Sequence, residues 1–228
     1  MQITPCPSPN FGPRRGGLTP SLVVLHYTAM PDPAEALERL CAPEHEVSAH
    51  YLLHRDGQLF QLVDEDKRAW HAGAGMWRGM DDINSRSVGI EIDNDGSSPF
   101  SEAQLAQLDR ILPQIMDRWS IPAEGVIGHS DMAPGRKFDP GRRFPWSRLA
   151  RQELTIWPDG SEVAPDEAAF LRQAAIFGYP TDTGCDAVLD ALRQRFRPWA
   201  HGPLDARDMG IVSDLAKRFG VDLPAPLA

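Results

Sequence analysis

The sequence contains no run of about 18 consecutive apolar residues, the length that a membrane-spanning helix needs. Its first residues lack the apolar core of a secretory signal, and no apolar run precedes Cys6, as a lipid-anchored cysteine would require. We therefore expect a chain without a membrane span that stays in the cytoplasm. Cysteine is scarce and widely spaced, which excludes a disulfide framework and predicts free thiols at Cys6, Cys41 and Cys185.

The chain also has fewer basic than acidic residues. The chain has 23 Lys and Arg against 32 Asp and Glu, which gives a formal net charge of -9. Because the basic residues are scattered rather than clustered, we expect no nucleic-acid partner. With 228 residues and 42% hydrophobic content, the chain can bury one sizeable core and a small second one, and we expect a monomer.

Strand and helix signals alternate over the first two thirds of the chain. A short, β-branched apolar run at residues 22–27 predicts a buried strand that ends near His26. Asp32 as N-cap, and Ser101 with Gln104 as a capping box, each begin a helix. The predicted strands cover residues 22–27, 48–54, 58–63, 88–92 and 126–128, and the predicted helices cover 32–40 and 102–119. This alternation predicts an α/β fold with a mixed central sheet flanked by helices.

The two ends of the chain differ from this pattern. Residues 1–20 are rich in Pro, Gly and Arg and are predicted to form no regular element. From residue 165 onward only helical signals remain, with Gly and Pro between three apolar stripes, which predicts a small three-helix bundle. About sixty residues in three short helices are marginal alone, so we expect the bundle to dock on the first domain. The predicted division is a domain at 1–157, a linker at 158–164 and the bundle at 165–228.

Residues 128–141 bring an imidazole, an ammonium and a carboxylate within a short stretch. Lys137 and Asp139 are two apart, and in an extended segment such residues project to the same side, so both can enter one pocket beside His129. With His26, the residues His129 and Asp139 would offer a zinc ion two nitrogens and one oxygen, and would leave a fourth position for water. Taken alone, each histidine is more often a hydrogen-bonded core residue, and an aspartate before proline is more often a turn residue. No short zinc pattern such as His-Glu-x-x-His is present.

The order of five motifs carries a family resemblance. They are His26 at the end of an apolar strand, Ser-Ala-His-Tyr at 48–51, Trp-His-Ala-Gly at 70–73, Ser-Val-Gly-Ile-Glu at 87–91, and Gly-His-Ser at 128–130 with Lys-Phe-Asp-Pro-Gly at 137–141. In these motifs the chain resembles zinc N-acetylmuramoyl-L-alanine amidases of the amidase-2 family, which share the peptidoglycan-recognition-protein fold. The resemblance covers roughly residues 15–157. The C-terminal bundle resembles the helical peptidoglycan-binding-like domain of some of these amidases.

The resemblance implies a role for each residue of the site. It implies His26, His129 and Asp139 as ligands of Zn²⁺, Glu91 as the general base and Lys137 as the partner of the developing oxyanion. Without it, Glu91 would be a solvated carboxylate on the polar face of a strand. Lys137 would be a surface ammonium or the ion-pair partner of Asp139.

Several further residues are candidates for binding substrate. His50 and His71 lie on or beside strands, where each is either pocket wall or packed interior. Trp70, Trp77 and Asn84 could line a groove for a sugar or a peptide, although tryptophan is usually a core or interface residue. We assign no role to His45, His54 and His201.

The resemblance implies hydrolysis of the amide between the lactyl carboxyl of N-acetylmuramic acid and L-alanine of the stem peptide. The lack of an export signal favours soluble muropeptides as substrates, including anhydro forms recovered during wall recycling. Two alternatives stay open: a module that binds muropeptides without cutting them, and a lysin that attacks polymeric wall with the bundle supplying wall affinity.

Overall fold

A six-stranded sheet lies at the centre of the protein in the computed structural model, which describes residues 2–221. The strands are β1 (Thr4–Pro5), β2 (Phe11–Pro13), β3 (Leu22–Tyr27), β4 (Tyr51–Leu53), β5 (Leu59–Gln61), β6 (Lys67–Ala69), β7 (Ser87–Ile92) and β8 (Val126–Gly128). The central sheet has the order β1-β5-β4-β7-β3-β8, while β2 and β6 form a separate antiparallel pair. Only β4 and β5 are antiparallel within the central sheet, so the predicted mixed sheet is confirmed.

Helices cover both faces of this sheet. They are α1 (Pro33–Cys41), α2 (Ile83–Arg86), α3 (Glu102–Trp119), α4 (His129–Met132), α5 (Trp146–Ala150), α6 (Glu167–Phe177), α7 (Cys185–Phe196) and α8 (Ala206–Phe219), with 3-10 turns at Arg15–Gly17, Pro43–His45 and Ala123–Gly125. The Asp32 carboxylate accepts the N–H of Ala34 at the start of α1, and Ser101 forms the predicted capping box of α3. The helices predicted at 32–40 and 102–119 are therefore confirmed.

The N-terminal segment differs from its prediction. Residues 1–20 are predicted to form no regular element, but β1 pairs with β5 as the edge strand of the central sheet and β2 pairs with β6. Both strands are very short and contain proline, which a sheet accepts at its edge because the missing N–H faces away from the ladder. The prediction was wrong because edge pairing depends on a distant strand rather than on local sequence.

The sheet buries a different core on each face. Val23 and Leu25 of β3 pack in one core with the apolar stripe of α3. Leu22 and Val24 point to the opposite face, because side chains alternate along a strand, and join a core with α6, α7 and α8. The C-terminal helices therefore pack directly on the sheet. The division at 158–164 stays a prediction, and residues 222–228, which it assigns to the bundle, lie outside the described part.

Trp77 lies at the junction between the sheet and the C-terminal helices. Its side chain is fully buried, and its ring makes edge contacts with Phe177 and Tyr179 at centroid distances of 5.4 and 5.3 Å. Trp77 is thus a core residue, and the groove position considered for it from the sequence is wrong.

The next two observations concern the cysteines and the length of the helices in the described residues. All three cysteines are free thiols, with the sulfur atoms of Cys6 and Cys41 lying 3.8 Å apart. No helix within residues 2–221 combines the length and the apolar character that crossing a membrane requires.

Replacing Trp77 by Ala should lower the free energy of unfolding by about 3–5 kcal/mol, because it removes a buried indole and leaves a cavity. The matched control is Trp199→Ala, since Trp199 is 68% exposed; we expect a change within about 0.5 kcal/mol there. Urea denaturation followed by circular dichroism measures both. Equal losses in the two variants would contradict the junction described above.

Candidate active site

Three neighbouring strands bring the candidate residues to one edge of the sheet. His26 on β3 and Glu91 on β7 are direct partners in the parallel register, so their side chains leave the same face. On the other side of β3, Gly128 of β8 pairs with Leu25, which places His129 next to His26 at the carboxyl end of the sheet. Ligands of α/β proteins usually bind at this edge.

Asp139 reaches the same edge through a turn after α4. The Asp139 carbonyl accepts the N–H of Ser130 at 2.9 Å, and the N–H groups of Arg136 and Lys137 both donate to the Ala133 carbonyl. These bonds fold residues 133–139 back onto α4. Asp139 thereby lies beside His129 although it is ten residues further along the chain.

His26, His129 and Asp139 form a compact triangle. The His26 Nδ1 lies 2.8 Å from the Asp139 Oδ2 and 2.9 Å from the His129 Nδ1, and the His129 Nδ1 lies 3.0 Å from the same Oδ2. All three residues are buried. The structure therefore brings together the three residues that the sequence selects as metal ligands.

The surrounding hydrogen bonds assign the tautomer of His26. The Ser87 hydroxyl donates to the Ile83 carbonyl at 2.6 Å, so its oxygen accepts from the His71 Nε2 at 3.2 Å. A neutral His71 then accepts at Nδ1, and the His26 Nε2, 3.0 Å away, is the donor. This chain leaves the Nδ1 lone pair of His26 directed at the triangle.

A hydrogen bond also fixes the orientation of the His129 ring. Its Nε2 lies 2.8 Å from the Ala72 carbonyl, which only accepts, so Nε2 carries a proton and Nδ1 is the nitrogen that faces the triangle. Burial, and then the neighbouring His129, lower the pKa of His26 to about 4, and burial and then His26 lower the pKa of His71 well below its usual value. The His26 and His71 rings are therefore neutral at pH 7, and neutral imidazole is the form that binds a metal.

The donor set fits a cation. Two imidazole lone pairs and one carboxylate oxygen, all within about 3 Å, repel one another unless a positive charge lies between them. Each histidine also donates its other ring N–H to a fixed acceptor, as metal-binding histidines do. The cluster of His26, His129 and Asp139 is thus compatible with a metal site.

Glu91 and Lys137 line the same pocket as the triangle, which has a volume of about 380 Å³. Glu91 is half-buried, and its Oε2 is buried with no hydrogen-bond partner among residues 2–221. Burial raises the pKa of Glu91 well above its usual value, the Asp139 carboxylate adds to this, and the Lys137 ammonium opposes it. Glu91 is therefore a carboxyl group with proton-accepting capacity facing the pocket, rather than a solvated surface residue.

The four substrate-binding candidates fall into two groups. Trp70 and His71 line the pocket, Trp70 half-exposed and His71 buried against His26. His50 and Asn84 do not line it. The Nδ1 of His50 accepts from the Gly89 N–H and its Nε2 donates to a carbonyl, so the ring is part of the packed interior.

Asn84 supports the loop behind the pocket. Its Oδ1 accepts the N–H groups of His71 and Ala72 at 3.0 and 2.8 Å. Gly89 has a related role, because a Cβ at that position would overlap the His71 ring. These residues hold the partners of the two histidines in place.

The sequence reasoning missed some of the pocket wall. Three residues of the pocket wall directly precede or follow a candidate ligand or Lys137 in the sequence: Tyr27, Arg136 and Phe138. Their position in the sequence was the signal that could have identified them. Arg39 on α1 also lines the pocket, and no motif marks it.

A larger cavity lies elsewhere. Its volume is about 620 Å³, and its walls include Trp146, Trp157 and Trp199. Its walls include none of the triangle residues, and they do not include Glu91 or Lys137. We therefore place the active site in the smaller pocket.

Comparison with known proteins agrees with this geometry. A family model described as N-acetylmuramoyl-L-alanine amidase, Amidase_2, matches residues 16–142. The chain belongs to this amidase family. Its activity is therefore that of an N-acetylmuramoyl-L-alanine amidase.

Three relatives cover much of the chain. The N-acetylmuramoyl-L-alanine amidase AmiD of Escherichia coli (strain K12) is 35% identical over an alignment of 234 positions, gaps included, that covers 88% of this chain and 84% of AmiD. The structure of AmiD with anhydro-N-acetylmuramic acid-L-Ala-D-gamma-Glu-L-Lys has a TM-score of 0.82 at 34% identity and covers 92% of each chain. AmpDH3 of Pseudomonas aeruginosa with anhydromuramic pentapeptide has a TM-score of 0.81 at 29% identity, over 89% of this chain and 93% of that one. The 1,6-anhydro-N-acetylmuramyl-L-alanine amidase AmpD of E. coli (strain K12) is 36% identical over an alignment of 161 positions, gaps included, that covers 63% of this chain and 87% of AmpD.

Replacing Ser87 by Ala should weaken the binding of a divalent metal by about 10- to 100-fold, because His71 loses its acceptor and His26 loses its fixed tautomer. Chelator competition measures the affinity. Ser85→Ala is the control: Ser85 is equally buried, and its hydroxyl oxygen accepts from the Arg15 N–H. The same loss in both variants would argue against the proton chain.

Proposed function

We propose that the protein hydrolyses the amide between the lactyl carboxyl of N-acetylmuramic acid and L-alanine of muropeptides, with a zinc ion held by His26, His129 and Asp139. The observation that carries this proposal is the convergence of three metal-binding atoms within 3.0 Å in a pocket that Glu91 and Lys137 also line. The substrate class follows the relatives, since AmiD and AmpDH3 were solved with anhydromuramyl peptides.

The kind of donor favours zinc among common metals. Mg²⁺ and Ca²⁺ prefer oxygen ligands, whereas two imidazoles and one carboxylate suit Zn²⁺. Tetrahedral zinc with bonds of about 2.0–2.2 Å separates its ligand atoms by roughly 3.3–3.5 Å. The triangle of His26, His129 and Asp139 needs to open by only a few tenths of an ångström.

Each of the chain's own residues then has a task in the hydrolysis. Zinc, when bound, would supply a Lewis acid and can lower the pKa of a bound water to about 7. Glu91 takes the proton of the attacking water at its carboxylate and delivers it to the leaving L-alanine nitrogen as the C–N bond breaks. The Lys137 ammonium stabilises the negative charge that develops on the former carbonyl oxygen. The products are a lactyl carboxylate and a free stem peptide.

The pocket wall supports recognition of a sugar that carries an anionic peptide. Trp70 presents a half-exposed ring on which a sugar face can pack. Arg39 and Arg136 line the same pocket, where a guanidinium group can donate hydrogen bonds to a carboxylate. The Arg136 Nη2 already donates to the Ala72 and Ala74 carbonyls, which leaves its other N–H groups for a ligand. We assign Trp70 to the sugar and the two arginines to carboxylates of the stem peptide.

Soluble anhydro-muropeptides released during wall recycling are the proposed physiological substrates. The similarity to E. coli AmpD, a 1,6-anhydro-N-acetylmuramyl-L-alanine amidase, supports this choice. A cytoplasmic location and a monomeric state stay predictions. The non-catalytic alternative is disfavoured because all three ligand residues converge; undiminished muropeptide affinity after chelation, in a sample without stoichiometric zinc, would favour it.

Replacing Glu91 by Gln should keep zinc bound but lower kcat by about 10²- to 10⁴-fold, because the proton acceptor is lost while the ligands stay. His129→Ala should lose zinc and activity together. Mass spectrometry of stem peptide released from a defined anhydro-muropeptide gives the rate, and metal analysis gives the zinc content. Glu44→Gln, at an exposed position, is the control. Parental turnover in Glu91→Gln would remove Glu91 from the mechanism.

Replacing Lys137 by Met should lower kcat by about 10²- to 10³-fold with little change in KM, because the ammonium acts on charge that develops in the transition state. The same product assay measures both constants. Lys217→Met on the exposed face of α8 should leave them unchanged. An unchanged kcat in Lys137→Met would make this lysine a structural residue.

A further inference from the structure

Asp131, two residues after His129, is a fully buried carboxylate held by three donors. Its Oδ2 accepts the N–H of Gly128 at 2.8 Å and Nη1 of Arg195 at 2.9 Å, and its Oδ1 accepts the hydroxyl of Tyr179 at 2.8 Å. Gly128 directly precedes His129. The carboxylate therefore closes the turn of backbone that carries the histidine.

Arg195 connects this turn to the C-terminal helices. It belongs to α7, it is 2% exposed, and its Nη2 donates to the Val126 carbonyl and to the Thr155 hydroxyl at 2.9 Å each. Val126 begins β8, and Asp131 lies in the helix that follows β8. One guanidinium thus holds both ends of the segment that contains His129.

Tyr179 makes a second connection from the C-terminal part of the chain. Its hydroxyl donates to Asp131, and its ring packs against Trp77. The loop that contains Trp77 also supplies the Ala72 carbonyl, which accepts from His129. Two groups hold His129 in place by hydrogen bonds: the Ala72 carbonyl to its ring and the Asp131 carboxylate to the N–H of the preceding residue. Both therefore depend on parts of the chain that pack against the C-terminal helices.

α4 cannot hold this geometry by itself. It has four residues, and so short a helix is unstable without tertiary contacts. We infer that Arg195 and Tyr179 are positioning residues for His129, so that the C-terminal helices are part of the metal centre rather than a separable wall-binding module. This inference rests on the proposed zinc site.

A pair that only stabilises the fold would behave differently, and the chain contains one for comparison. Arg193, also on α7, is 3% exposed and bonds the fully buried Asp208 of α8. This second pair has the same chemistry and similar burial, and its hydrogen bonds lie within α7, α8 and the loop between them. Arg193→Met therefore reports the cost of losing a buried ion pair away from His129.

The experiment compares Arg195→Met, Tyr179→Phe and Arg193→Met in the full chain. Chelator competition gives the zinc dissociation constant, and thermal melting of the metal-free proteins gives Tm. We expect Arg195→Met to weaken zinc binding by about 10- to 100-fold, Tyr179→Phe to weaken it by a smaller factor, and Arg193→Met to lower Tm without changing zinc affinity. Tyr179→Phe keeps the ring, and it tests the inference if Arg195→Met does not fold.

Hydrogen exchange of the metal-free proteins adds a readout that needs no zinc. The amides of residues 128–132 should exchange faster in Arg195→Met and Tyr179→Phe than in the parent, and at the parental rate in Arg193→Met. Unchanged exchange there, or equal loss of zinc affinity in Arg193→Met, would overturn the inference. A parent protein that binds no zinc would instead overturn the proposed function, and the exchange data would still decide the role of Arg195 and Tyr179.

Discussion

The direction of three lone pairs is the constraint on which the rest of the active site depends. The Nδ1 atoms of His26 and His129 and the Oδ2 of Asp139 converge because each histidine has its other nitrogen committed to a fixed acceptor. These acceptors lie on the loop at 71–72, which Asn84 holds by two backbone hydrogen bonds. Without that loop the rings could turn, and the same three residues would no longer offer their donors to one ion.

Local patterns predicted the main sheet, and the family resemblance selected the three residues that the structure brings together as a candidate metal site. The apolar run of β3 places His26 at a strand end, and alternation along β7 puts Glu91 opposite its apolar residues. The helices with clear caps, α1 and α3, begin where Asp32 and Ser101 predict. These features are local, so local patterns can reveal them.

Other features depend on distant contacts and were beyond local reasoning. The edge strands β1 and β2 exist only because β5 and β6 offer partners, and the short helix α4 carries no amphipathic pattern of its own. His50, on a strand, and Asn84, as a possible groove residue, are substrate-binding candidates from the sequence, yet both side chains accept hydrogen bonds from backbone N–H groups behind the pocket. Residue type and position in a motif do not show whether a polar group faces solvent or a carbonyl.

The two cores also constrain how the chain folds during synthesis. α3 covers one face of the sheet from within the first 120 residues, but the other face receives α6, α7 and α8 only after residue 167 has been made. A nascent chain on the ribosome therefore exposes Leu22, Val24 and Ile127 on a bare sheet face until its last quarter emerges. During that interval the apolar face is accessible to chaperones and can aggregate. It is buried only when the C-terminal helices pack on it.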